Sequence, residues 1–131
     1  MILLLRCLFI LVLLSMLAVT SWASLHTSVL KIPPDVLGHP WFIATLVDAY
    51  WAFITFYVWV AWKECSGAAR ILWFIAILAL GNIAMAVYLL RELFRLPTDA
   101  DVGLVFTRQN PGSILLPAIL AAGGVTVYCV A

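Results

Sequence analysis

One stretch, His39 to Glu64 (HPWFIATLVDAYWAFITFYVWVAWKE), limits what this chain can fold into. Its apolar run from Trp41 to Trp62 makes a helix of about 33 Å at 1.5 Å per residue, enough to cross a bilayer core of about 30 Å. One carboxylate, Asp48, sits well inside that run. An ionised carboxylate at the centre of a membrane helix costs about 2.5–3.5 kcal/mol or more. Asp48 is tolerable there only if it is protonated, hydrogen-bonded or facing water.

Composition points the same way. Of 131 residues, 66% are hydrophobic and 10% charged, against about 45–50% and about 25% in ordinary globular domains. A soluble fold this small would leave much of that apolar surface uncovered. A transmembrane β-barrel would alternate polar and apolar residues along each strand, and no such alternation is present. The expected class is all-α, an integral membrane bundle of about four transmembrane helices in one domain, 1–131. A net charge of +1 gives no field for nucleic acid. Cys7, Cys65 and Cys129 form no CxxC pair and no metal spacing.

Helices are expected at about 2–23, 41–62, 71–96 and 114–130. The first is interrupted only by Arg6, which can snorkel to the nearer headgroups. Ser21 and Ala23 offer a signal-peptide alternative, but the charge follows Met1-Ile2-Leu3-Leu4-Leu5 instead of preceding the apolar run, so a retained helix is expected. Pro33-Pro34 and Gly38 break the chain, and Pro40 starts the second helix with His39 near its cap. The short polar turn from Lys63 to Arg70 makes helices two and three antiparallel neighbours. Helix three continues through Arg91, Glu92 and Arg95 until Pro97 ends it. The last run holds Pro117 and Gly123-Gly124 in about 17 residues, and a full span and a re-entrant segment both fit it.

Four spans put the N-terminus, the 63–70 turn and the C-terminus on one side, and the 24–40 and 91–113 loops on the other. Lys and Arg then divide as Arg6, Lys63 and Arg70 against Lys31, Arg91, Arg95 and Arg108, which is no asymmetry. The cysteines fall on the N-terminal side, which suits a reducing cytosol and places both termini in the cytoplasm at the cell membrane.

On the second helix, Trp41, Ala44, Thr45, Asp48, Trp51, Ala52, Thr55, Trp59 and Trp62 share a stripe. Small and hydroxylic residues let membrane helices approach closely, so this stripe is expected to face the bundle. Asp48 lies about 10 Å from the start of its helix. Asn82 of the third helix comes to a comparable depth, with Ser15 and Thr20 of the first as further candidates. The candidate intramembrane polar site is therefore Asp48, Asn82 and Thr45. Gly81-Asn82 and Ala79/Ala86 are expected at close helix contacts. Arg91 and Arg95 are expected at a solvated helix end, with lipid phosphate as a second possibility. No nucleophile–base pair, phosphate loop, redox motif, metal set or cofactor site is found, so no enzyme activity, cofactor or metal is expected.

The run from His39 to Glu64, followed by ARILWFIAILALGNIAMAVYLL, resembles a family of small membrane proteins known as domain of unknown function fourteen seventy-five. The resemblance covers roughly residues 5–96 and rests on Pro40-Trp41, Ala44-Thr45-Leu46, Asp48, Trp59-Val60-Ala61 and Lys63-Glu64. It implies an integral membrane protein with its first helix retained, and supplies no activity. The expected function is a small structural or interaction subunit of a membrane assembly, in contact with the bilayer and able to form a homo-oligomer. The alternative is a proton-coupled transporter of small molecules that uses Asp48. A membrane enzyme comes third, because no second catalytic group stands near the carboxylate.

Overall fold

The computed structural model describes residues 1–130, and among these it is all α-helical. Helix α1 is Ile2–His26. A 3-10 turn at Val29–Lys31 and the single-turn helix α2, Pro34–Leu37, lead to α3, Pro40–Lys63. Proline at the first helical position gives up only an N–H that would have had no partner, so α3 starts at Pro40 behind an extended His39. Two helices, α1 and α3, are long and apolar enough to cross a membrane.

The third apolar run does not form the single helix expected over 71–96. Helix α4, Gly67–Leu80, opens with Ser66 accepting a hydrogen bond from the Ala69 N–H, and stops at Gly81. Helix α5, Asn82–Phe94, begins at the next residue. Gly81 has φ +52° and ψ −124°, a conformation that side chains with a Cβ rarely adopt. A Cβ there would also lie 2.7 Å from the Phe53 ring of α3. Backbone and space both require glycine, and the chain reverses. Helix α5 returns along α4, with the Tyr88 ring edge-on to Trp73 at 4.8 Å and the Arg91 guanidinium 5.7 Å from the Trp73 ring. The result is a helical hairpin with arms of about 20 Å. Hydrophobicity runs unbroken through Leu80-Gly81-Asn82-Ile83 apart from one amide, so periodicity carries no mark of the reversal.

The hairpin decides which parts of the chain meet. Helix α1 starts on the end of α5: Ile2 is buried with Leu93, Leu96 and Val105, and Arg6 donates to the carbonyls of Leu93 at 2.9 Å and Leu96 at 2.6 Å. The chain then forms the short helix α6, Gly103–Thr107, and joins the end of α3 through backbone bonds from Asn110 N–H to Lys63 O and from Cys65 N–H to Asn110 O. Helix α7, Leu115–Val130, runs back along α4, where Gly124 sits against Ala79 and Leu80. One end of the molecule, the polar end, thus gathers the start of α1, residues 63–70 and residues 91–110.

This corrects the four-span threading. Residues 91–113 lie with the N-terminus and the 63–70 turn, not with the 24–40 loop, because the chain turns back at Gly81. Helix α7 starts at the polar end and runs away from it, so the N-terminus and the end of α7 are not on one side. The core is Val60, Trp73, Ala76, Ile77, Ala84, Tyr88 and Ala121, all in the half of the molecule nearer the polar end. Beyond the hairpin tip at Phe53, the first half of α3 and the second half of α1 extend with mostly exposed side chains.

Gly81→Ala places a Cβ in an unfavourable φ and against Phe53. A loss of about 1–3 kcal/mol in unfolding free energy in detergent is expected, while Gly67→Ala, where a Cβ meets nothing, should change stability by well under that. Equal stability of the two variants would remove the case for a strained glycine turn.

Candidate functional site

Lys63 and Glu64 end α3, and Glu92 lies in the last turn of α5; all three are buried, at 0%, 0% and 4% exposure. Lys63 Nζ bonds Glu92 Oε2 at 2.6 Å and also donates to the carbonyl of Val105, which closes the α6 segment over it. Glu64 Oε1 accepts from Tyr88 OH at 3.1 Å, from Arg91 Nη1 at 3.0 Å and from Asn110 Nδ2 at 2.9 Å. Asn110 Nδ2 also reaches Glu92 Oε1 at 3.0 Å, and its Oδ1 accepts from Arg95 Nη1 at 2.8 Å. Arg70 Nε binds the Glu64 carbonyl at 2.7 Å. Arg91 divides its guanidinium between Glu64 at 3.0 Å and Glu92 at 3.8 Å, so neither pair is bidentate.

Ions taken out of water lose several kcal/mol each, and only close pairing with further hydrogen bonds recovers it. Here each acid has a cation and the Asn110 amide joins both acids. The cluster therefore pins three things together: the end of α3, the end of α5 and the 105–110 segment. It is a structural clamp with two carboxylates, and it presents no free nucleophile. Among the described residues no three His, Cys, Asp or Glu side chains come together as a metal site.

The sequence-expected polar site is placed differently. Asp48 is exposed and, among the described residues, has no hydrogen-bond or ion-pair partner. Asn82 is exposed at the start of α5 and does not bond Asp48. Thr45 Oγ1 donates to its own helix at Trp41 O, 2.7 Å away. Ser15 and Thr20 likewise bond carbonyls of α1. The structure does not bring these residues together.

The facing of α3 is the reverse of the expected one. Phe53, Phe56, Tyr57 and Val60 pack inward, while Asp48, Trp51, Ala52, Thr55 and Trp62 face out. Of the expected stripe only Trp59 packs inward, edge-on to Tyr88 at 5.6 Å. The cause is the buried Lys63, which fixes the rotation of the helix end. Asp48 lies on the half of α3 that the hairpin does not reach. The expectation that Asp48 points into the bundle is corrected on that ground. Ala86 and Ala79 do lie at close contacts, Ala79 against Gly124.

Arg91 and Arg95 are not a free solvated pair: Arg91 is 9% exposed in the clamp, and Arg95 is 34% exposed and bound to Asn110. The role of Lys63, Glu64, Tyr88, Glu92 and Asn110 was not foreseen. The available signal was two basic–acidic dipeptides, Lys63-Glu64 and Arg91-Glu92, each closing an apolar run.

Fold and site together define an all-α chain with two helices of membrane length, held at one end by a buried ion cluster. The chain belongs to the family described as "Protein of unknown function (DUF1475)", whose model matches residues 1–110. No curated protein and no solved structure matches it. The matched region contains every residue of the clamp.

Glu92→Gln leaves Lys63 buried without a counter-charge and should cost about 3–5 kcal/mol. The double change Lys63→Met with Glu92→Leu removes both charges and should cost less than the single one. Denaturant unfolding of the purified chain compares them, and a double variant less stable than Glu92→Gln would contradict the pairing.

Proposed function

We propose that this is a multi-pass integral membrane protein of the cell membrane that serves as a small interaction subunit, docking through the outward face of α3 around Asp48. Helices α1 and α3 cross the bilayer, and the α4–α5 hairpin enters from the polar end and leaves by the same side. Six of the seven Lys and Arg residues lie at that end, namely Arg6, Lys63, Arg70, Arg91, Arg95 and Arg108, with Lys31 in the opposite loop. Basic residues are retained on the cytoplasmic side, so the polar end faces the cytoplasm.

The observation that carries the docking role is Asp48 itself. It sits in an apolar span, exposed, with no partner among the described residues. Polar groups in hydrocarbon draw helices together because the alternative is an unsatisfied group. Trp51, Ala52 and Thr55 continue the same outward face and provide room for close approach. A partner helix, from a second copy or another membrane protein, supplies Asp48 with a hydrogen-bond donor. We assign no reaction and no cofactor to the chain, and lipid is its solvent.

In lipid nanodiscs the chain should run above the mass of one copy, or co-assemble with a membrane partner, and Asp48→Leu should lower that assembly about tenfold or more without unfolding. Proton uptake and substrate flux should be equal in the native chain and Asp48→Asn. A monomeric native chain with proton uptake that Asp48→Asn abolishes would favour the transporter instead.

A further inference from the structure

A second feature lies next to the clamp, on the face of α3 that carries Phe56, Trp59 and Lys63. Helix α1 packs on α5 and α3 packs on α4, which leaves a cleft between α1 and α3 near the polar end. Leu89 and Leu93 of α5 form its floor, Leu5 and Phe9 of α1 one wall, and Phe56 and Trp59 of α3 the other. Val105 and Phe106 of the α6 segment close it at the polar end. Trp59 Nε1 donates to the Phe106 carbonyl at 3.3 Å, which ties that closure down and uses the only polar atom on the α3 wall.

The cleft has a volume of about 350 Å³ and only apolar side chains line it. That volume is in the range of small-molecule sites, about 300–1,000 Å³, but such sites normally place a few polar groups to fix the ligand. With no such group, the walls select hydrocarbon. The cleft opens between the two helices long enough to span a membrane, so its surroundings in the proposed bilayer are acyl chains. The polar end carries Arg6, Arg95 and Arg108 together with Asp99 and Asp101, and Arg6, one residue from the cleft-lining Leu5, is fixed on the end of α5. Basic groups between helices on the cytoplasmic side suit anionic headgroups.

We propose that the cleft holds one acyl chain of a membrane phospholipid, with an anionic headgroup at the polar end beside Arg6 and Arg95. The bound chain fills the gap between α1 and α3, and so joins two helices that scarcely touch. This inference rests on the proposed membrane placement and not on the docking role of Asp48.

The test is native mass spectrometry of the full chain extracted from membranes, comparing the native protein with two cleft-filling variants, Leu89→Trp and Leu5→Trp, and with Leu46→Trp on an outward face of α3. The native chain and Leu46→Trp should retain one phospholipid mass. Either filling variant that keeps native helicity by circular dichroism should lose it at least tenfold. Reloading the delipidated chain with phosphatidylglycerol should exceed phosphatidylcholine several-fold, and Arg6→Gln should reduce that preference.

A chain that carries no lipid, a retained mass of fatty-acid size, or lipid occupancy unchanged by both fillings would overturn the proposal, as would a second copy of the chain displaced by the fillings. Recovery of the chain in the soluble fraction would instead remove the membrane placement itself, and this inference with it.

Discussion

The pairing of Lys63 with Glu92 is the contact on which the rest of the structure depends. Neither group is stable in an apolar core alone, and each is held by the other and by groups from three segments. For Lys63 to reach Glu92, α5 must come back to the level at which α3 ended. The turn at Gly81 is what allows this. For the side chain of Lys63 to face inward, α3 must rotate so that Phe53, Phe56 and Val60 meet Tyr88 and Trp73. The aromatic cluster and the ion cluster are thus two consequences of one register. The backbone bonds of Asn110 to Lys63 and Cys65 extend that register to the C-terminal segment.

The two sets of polar groups differ in their completeness. At the polar end, two acids share Lys63, Arg91, Arg95, Tyr88 and Asn110. About a third of the way along α3, Asp48 has no partner among the described residues. The clamp satisfies most of its polar atoms within one molecule, leaving Glu64 Oε2 and Arg91 Nη2 buried without a partner. The contrast places the stabilising ion pairs at the clamp and leaves Asp48 for the docking role proposed above.

Several elements were legible in the sequence because local chemistry fixes them. Pro40 starts α3, Pro97 follows the end of α5, and the length of the apolar runs gives α1 and α3. The all-α class follows from the same runs. The reversal at Gly81 was not legible. A glycine inside an apolar run looks the same to a hydropathy pattern whether the helix passes through it or stops. From that one point the rest of the misreading follows: the side on which Arg91, Glu92 and Asn110 lie, the way α3 faces, and the pairing of Asp48 with Asn82. Asp48 and Asn82 were matched by depth in a helix that does not run straight. The family match covers residues 1–110 and names no activity.

The central claim is that the chain turns back at Gly81 and returns to the side it left. Single-cysteine labelling tests it directly, in a chain with Cys7, Cys65 and Cys129 replaced by serine. A membrane-impermeant maleimide is applied to vesicles of each orientation, with the reporter at a restored Cys65, at Asp99→Cys or at Leu30→Cys. The account predicts that Cys65 and Asp99→Cys react from one side and Leu30→Cys from the other. Labelling of Asp99→Cys together with Leu30→Cys, opposite to Cys65, would mean that residues 71–96 cross the membrane as one helix, and would contradict the account.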